Sequence, residues 1–106
     1  MSAKTRHDTG KLDDVHNVLP ATFDEYCEVM HPRNADKRRV AVEEVNGLLV
    51  STVFLAMDHS FGHGSQLWFE TMVFGGDDEH QRRYETWDDA VKGHAEVVAE
   101  LRRAKP

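Results

Sequence analysis

The chain has 106 residues, which bounds it to one domain or one domain with a tail. Its make-up, 40% hydrophobic, 30% charged and 8% aromatic, is that of a globular chain and too aromatic for full disorder. No apolar run approaches the ~20 residues that span a bilayer, no secretory leader opens the chain, and the lone Cys27 excludes an internal disulfide and a four-cysteine zinc site, so a reducing cytoplasm is expected.

Residues 1–20 are polar and punctuated by Gly10 and Pro20, and read as a flexible or loosely docked arm ahead of one domain over 21–106. Leu12, Val15, Val18 and Leu19 are its apolar positions. Thr22 can cap a short helix, Phe23 to Met30, with Asp24 and Glu25 at its positive end. Phe23, Tyr26, Cys27 and Met30 fall at helical spacing, and His31-Pro32 ends the element. Residues 33–38 read as a polar loop.

From Arg39 the period changes to two. Asn46-Gly47 marks a hairpin, because both central positions of that turn need positive φ. A β-branched, aromatic run, Leu48 to Met57, reads as a central strand, and Gln66 to Phe74 as a third. The third strand places Leu67, Phe69, Thr71 and Val73 on one face and Trp68, Glu70, Met72 and Phe74 on the other, until residues 75–78 break it. Thr86 then caps a long helix with Asp88 and Asp89 in its first turn and Arg102, Arg103 and Lys105 at its end. Trp87, Val91, His94, Val98 and Leu101 form its stripe, flanked by Ala90 and Val97. The expected fold is α+β in two layers: a three-stranded antiparallel meander against a C-terminal helix, with a short N-terminal helix.

Charge is uneven. Residues 1–40 carry seven basic and seven acidic groups, so the whole net charge of −6 lies in 41–106. An acidic domain repels nucleic acid. The one basic cluster, Arg33, Lys37, Arg38 and Arg39, reads as a solvated loop. The acidic body suits a basic protein partner or plain solubility.

The loop Asp58-His59-Ser60-Phe61-Gly62-His63-Gly64 gathers the most chemistry, and four readings stand beside one another. His59, His63 and His94, with Asp58 or Glu70, could hold a divalent ion such as zinc. Ser60 with His59 or His94 could act as a nucleophile, but no G-x-S-x-G elbow surrounds it. Glu70 and His94 could form a buried acid–base pair if their faces meet, or a structural hydrogen bond between helix and sheet. The simplest account is a tight turn in which Asp58 accepts backbone hydrogens. Gly93, beside His94, lets the helix backbone approach the sheet at about 1 kcal/mol of helix propensity. Phe61, Trp68 and Phe74 are candidate contact residues, since a meander covered on one face leaves the other for a partner or a second copy.

Residues 50–62, then Leu67-Trp68-Phe69-Glu70-Thr71-Met72-Val73-Phe74-Gly75-Gly76, then Tyr84-Glu85-Thr86-Trp87-Asp88-Asp89-Ala90 and Gly93-His94, together resemble a family of small uncharacterised proteins of actinobacteriophages and actinobacterial prophages. The resemblance covers residues 50–94 and implies provenance rather than activity. In that family the loop after Asp-His is rich in glycine and proline. Here it carries His63, Ser65 and Gln66, which leaves His59, Glu70 and His94 as the better ligand candidates. Two functions are expected from these readings. One is a small phage-type accessory protein that binds a host or phage protein. The alternative is a metal-dependent or acid–base enzyme using His59, Glu70 and His94.

Overall fold

The computed structural model describes residues 7–76 and 80–104. Residues 1–6, 77–79 and 105–106 lie outside the described residues, and with them the start of the expected arm, Asp77 and Asp78 of the expected strand break, and Lys105 of the expected helix end. The chain runs β1 (Gly10–Leu12), β2 (Val18–Pro20), α1 (Phe23–Met30), a 3-10 turn (Pro32–Asn34), α2 (Ala35–Arg38), β3 (Arg39–Val45), β4 (Leu48–Phe54), β5 (Phe69–Phe74), β6 (His80–Tyr84) and α3 (Trp87–Arg103). Strands β3 to β6 pair in chain order as a four-stranded antiparallel sheet, and β1 and β2 form a separate hairpin. The architecture is α+β, with the C-terminal helix packed on the larger sheet. It has one strand more than a three-stranded meander.

The local signals act as expected where they are strongest. Thr22 and Glu25 form a reciprocal capping box on α1: the Thr22 side chain accepts from the Glu25 N–H, and Glu25 accepts from the Thr22 N–H. Asn46 and Gly47 take φ of 51° and 81°, the double positive φ that joins β3 to β4 tightly. The Asn46 side chain also donates to the Leu101 carbonyl, tying this turn to the last turn of α3. Thr86 caps α3 through the Asp89 N–H.

Four expectations are corrected. Segment 33–38 is helical rather than a loop: a 3-10 turn started by Pro32 leads into α2. The fourth strand, β6, pairs with β5 from Val73↔His80 to Phe69↔Tyr84. Part of the expected arm is an ordered hairpin. The Gly10 N–H donates to the Ala56 carbonyl, and the Asp58 N–H donates to the Asp8 carbonyl, where the chain leaves β4. The buried face of α3 is Ala90, Gly93, His94, Val97 and Val98, so Val91 turns to solvent.

Strand parity sets which residues meet the helix layer. Val50, Thr52 and Phe54 of β4 and Phe69, Thr71 and Val73 of β5 are buried beneath it. Two apolar clusters lie along α3. Val45, Val50, Val73, Val97 and Val98 fill the end near its C-terminus. Phe54, Ala56, Trp68, Phe69 and Ala90 fill the other, where Leu12 and Val18 of the hairpin and Tyr26, Val29 and Met30 of α1 pack against them. The N-terminal third therefore extends the α3 layer. It does not cross to the opposite face of the sheet.

Candidate functional site

A polar band separates the two apolar clusters. Thr52 and Thr71 face each other across β4 and β5 with hydroxyls 2.5 Å apart. Thr52 Oγ1 is 2.7 Å from His94 Nδ1, and the Tyr84 hydroxyl donates to Thr71 Oγ1 at 3.0 Å. At the outer end His94 Nε2 is 3.2 Å from Glu43, which also pairs with Arg102. The proton order follows from these partners. A carboxylate only accepts, so a neutral His94 carries its proton on Nε2, and Nδ1 accepts from Thr52. Thr52 then accepts from Thr71, and Thr71 from Tyr84. Each hydroxyl donates once, and the buried groups are satisfied. Burial raises the Tyr84 pKa above the ordinary phenol value and outweighs the hydrogen bond to Thr71, which lowers it.

Gly93 makes this band possible. A Cβ at that position would lie 2.1 Å from Tyr84 Cε1, so only glycine admits the ring beneath the helix. The expected close approach of helix to sheet is found.

Glu70 is not part of this band. It follows Phe69 on β5 and points to the opposite face of the sheet, where its carboxylate accepts from Arg83 Nε at 2.9 Å and Gln81 Nε2 at 2.8 Å. The Glu70–His94 encounter is therefore not made. His94 instead makes the structural contact between helix and sheet.

Asp58 does what a turn carboxylate does. One oxygen accepts the backbone N–H groups of Ser60 and Leu67, and the other accepts from the Ser60 hydroxyl and the Gln66 amide. Burial alone would raise its pKa. The Leu67 and Ser60 N–H groups, with the two side-chain donors, outweigh it and hold the carboxyl well below the usual range. Ser60 is buried in this turn, so it is not poised as a nucleophile. His59 packs near the Phe61 ring, 6.1 Å between centroids, while His63 is exposed farther along the loop. Among the described residues no three His, Cys, Asp or Glu side chains are grouped as a metal ion would need. Asp58, His59 and His94 thus do not form a ligand set.

The aromatic candidates divide. Trp68 is 4% exposed, buried together with its neighbour Phe69. The β5 ladder begins at Phe69, so strict alternation does not extend back to Trp68. Trp68 turns instead under the hairpin, with His7 stacked on it at 5.2 Å and Phe54 at 6.4 Å. It is a core residue, not a contact residue. Phe61, at 78% exposure, and Phe74, at 49%, are at the surface.

Phe74 belongs to a wider feature of the sheet. The sheet face opposite α3 carries Val42, Leu49, Ser51, Val53, Glu70, Met72 and Phe74. Leu49 and Phe74 are direct cross-strand neighbours, and Ser51 lies between Val42 and Met72. Val42, Leu49 and Phe74 are 46%, 43% and 49% exposed. Glu44, opposite Leu49, adds an exposed negative charge at this edge. The signal was present in sequence: the same alternation that buries Val50, Thr52 and Phe54 leaves Leu49 and Val53 facing away. No protein-family model matches the chain, and comparison with curated proteins and with solved structures also finds no match.

Proposed function

We propose that the protein acts by stoichiometric binding of another protein, of a phage or its bacterial host, through the open face of its four-stranded sheet. The observation that supports this reading is the cross-strand pair Leu49 and Phe74 with Val42 on the same face, three large apolar side chains each nearly half exposed. Exposed apolar side chains gathered on one face mark interaction sites more often than isolated ones do. The phage assignment rests on the resemblance of residues 50–94. The partner's chemistry follows from charge. Glu44 lies opposite Leu49 and the net negative charge lies in 41–106, so the partner presents an apolar strip bordered by Lys or Arg.

The test is capture from an actinobacterial lysate, with and without phage infection, by the wild-type chain, a Leu49→Ser/Phe74→Ser variant and a Phe61→Ser variant. The reading expects a protein retained by the wild type and by Phe61→Ser but lost from the double variant. The purified partner should then bind with one-to-one stoichiometry and weaken with salt. Retention unaffected by Leu49→Ser/Phe74→Ser, or no retention from either lysate, would overturn it. A Trp68→Ala control would not discriminate, since it removes a core side chain.

A further inference from the structure

The basic cluster of residues 33–39 does not act as one patch. Arg33 pairs with Glu28, and Arg39 with Asp36. Lys37 and Arg38 have no carboxylate partner among the described residues, and both line a cleft of about 210 Å³ on the helix side of the sheet. The interior of this cleft is apolar, formed by Leu12 of β1, Val29 of α1 and Phe54 of β4. Two other charged groups line it, and both are already neutralised: Lys11 by Glu25, and Glu28 by Arg33, with Asn34 donating a hydrogen bond to the same carboxylate. Arg38 is oriented, since its Nε donates to the Val29 carbonyl at 3.2 Å. That bond fixes the guanidinium beside the cleft and leaves its terminal nitrogens for a two-pronged contact.

We infer that this cleft binds a small amphiphilic anion, with a carboxylate or phosphate head on Lys37 and Arg38 and a short apolar tail against Leu12, Val29 and Phe54. Charge selects the head: two uncompensated cations in a chain of net charge −6 attract an anion and repel an amine. The lining selects the tail, as small-molecule sites combine apolar walls with a few placed polar groups. Size limits the tail to a few carbons, because 210 Å³ lies below the usual range for such sites. A nucleic-acid strand fits poorly, since the acidic body, residues 41–106, would face its other phosphates. The cleft lies across the sheet from Val42, Leu49 and Phe74, so the two sites occupy opposite faces.

The test is an amide-resolved NMR titration of the full chain with hexanoate and with hexyl phosphate, beside hexanol, acetate and hexylammonium. The inference expects saturable shifts centred on Leu12, Val29, Lys37 and Arg38 with at least one anion. Hexanol and acetate should bind at least tenfold more weakly, and hexylammonium should not bind. The tighter of the two anions identifies the head group. Lys37 is exposed, so Lys37→Glu should keep the thermal midpoint and lower the affinity at least tenfold. The inference fails if neither anion gives saturable shifts, if hexanol binds as tightly, or if Lys37→Glu leaves the affinity unchanged.

Discussion

At Gly93 two effects oppose each other. Alanine is favoured over glycine in a helix interior by about 1 kcal/mol. Its Cβ, however, would enter the Tyr84 ring, and overpacking costs about 1–3 kcal/mol. Moving Tyr84 would also break its bond to Thr71. Gly93→Ala should therefore destabilise the protein, yet stabilise it in a Tyr84→Ala background. Chemical denaturation of the four proteins of that cycle measures the reversal, and the same sign in both backgrounds would disprove the contact. Thr52 is the centre of the polar band, so Thr52→Val strands the Thr71 donor and the His94 acceptor. A loss of about 2–3 kcal/mol is expected, with Thr52→Ser restoring most of it. Asp58 brings a pH dependence. Its folded-state pKa lies below the unfolded value near 4, so its contribution is complete above about pH 5 and is lost as pH falls further. Asp58→Asn should cost about 1–3 kcal/mol at pH 7, and the gap to wild type should narrow in unfolding curves run at progressively lower pH.

At the scale of elements, what could be read in the sequence follows the range of the forces. The two longer helices and the β3–β4 turn are specified by adjacent residues: the Thr22 and Thr86 caps, and Asn46-Gly47. Strand β6, His80–Tyr84, has no apolar alternation. It is held by pairing with β5, the strand just before it, and by the Arg82–Glu100 and Arg83–Glu70 pairs, none of which leaves an apolar period to read. The β1–β2 hairpin is likewise fixed by Ala56, Trp68 and Phe54, which lie far along the chain. The separation of Glu70 from His94 was within reach of the sequence. Once Phe69 and Thr71 face the helix, Glu70 cannot. Trp68 was not, because its place depends on where the β5 ladder stops. The hairpin carries its own prediction. In a Trp87→Phe background, because His16 of the same segment stacks on Trp87, deleting residues 1–20 should uncover Trp68, shifting its fluorescence to the red and lowering the thermal midpoint. An unchanged spectrum would mean that the hairpin does not dock on Trp68.

At the scale of the molecule, the two faces of the sheet are used differently. One is closed by α3, α1 and the hairpin, and the other keeps an apolar row in water. A side chain that is half exposed has already kept much of its surface hydrated, so removing it forfeits little of the ~25 cal/mol per Å² of burial. Leu49→Ser and Phe74→Ser should each cost less than about 1.5 kcal/mol, while Phe69→Ser, from the covered face, should cost at least about 3 kcal/mol. The double variant Leu49→Ser/Phe74→Ser should then remain folded and become more soluble, and any self-association of the wild type at high concentration should disappear. Thermal unfolding and sedimentation velocity on the same samples separate these effects. If the double variant instead unfolds as readily as Phe69→Ser, Leu49 and Phe74 support the fold itself, and the row is not free to meet a partner.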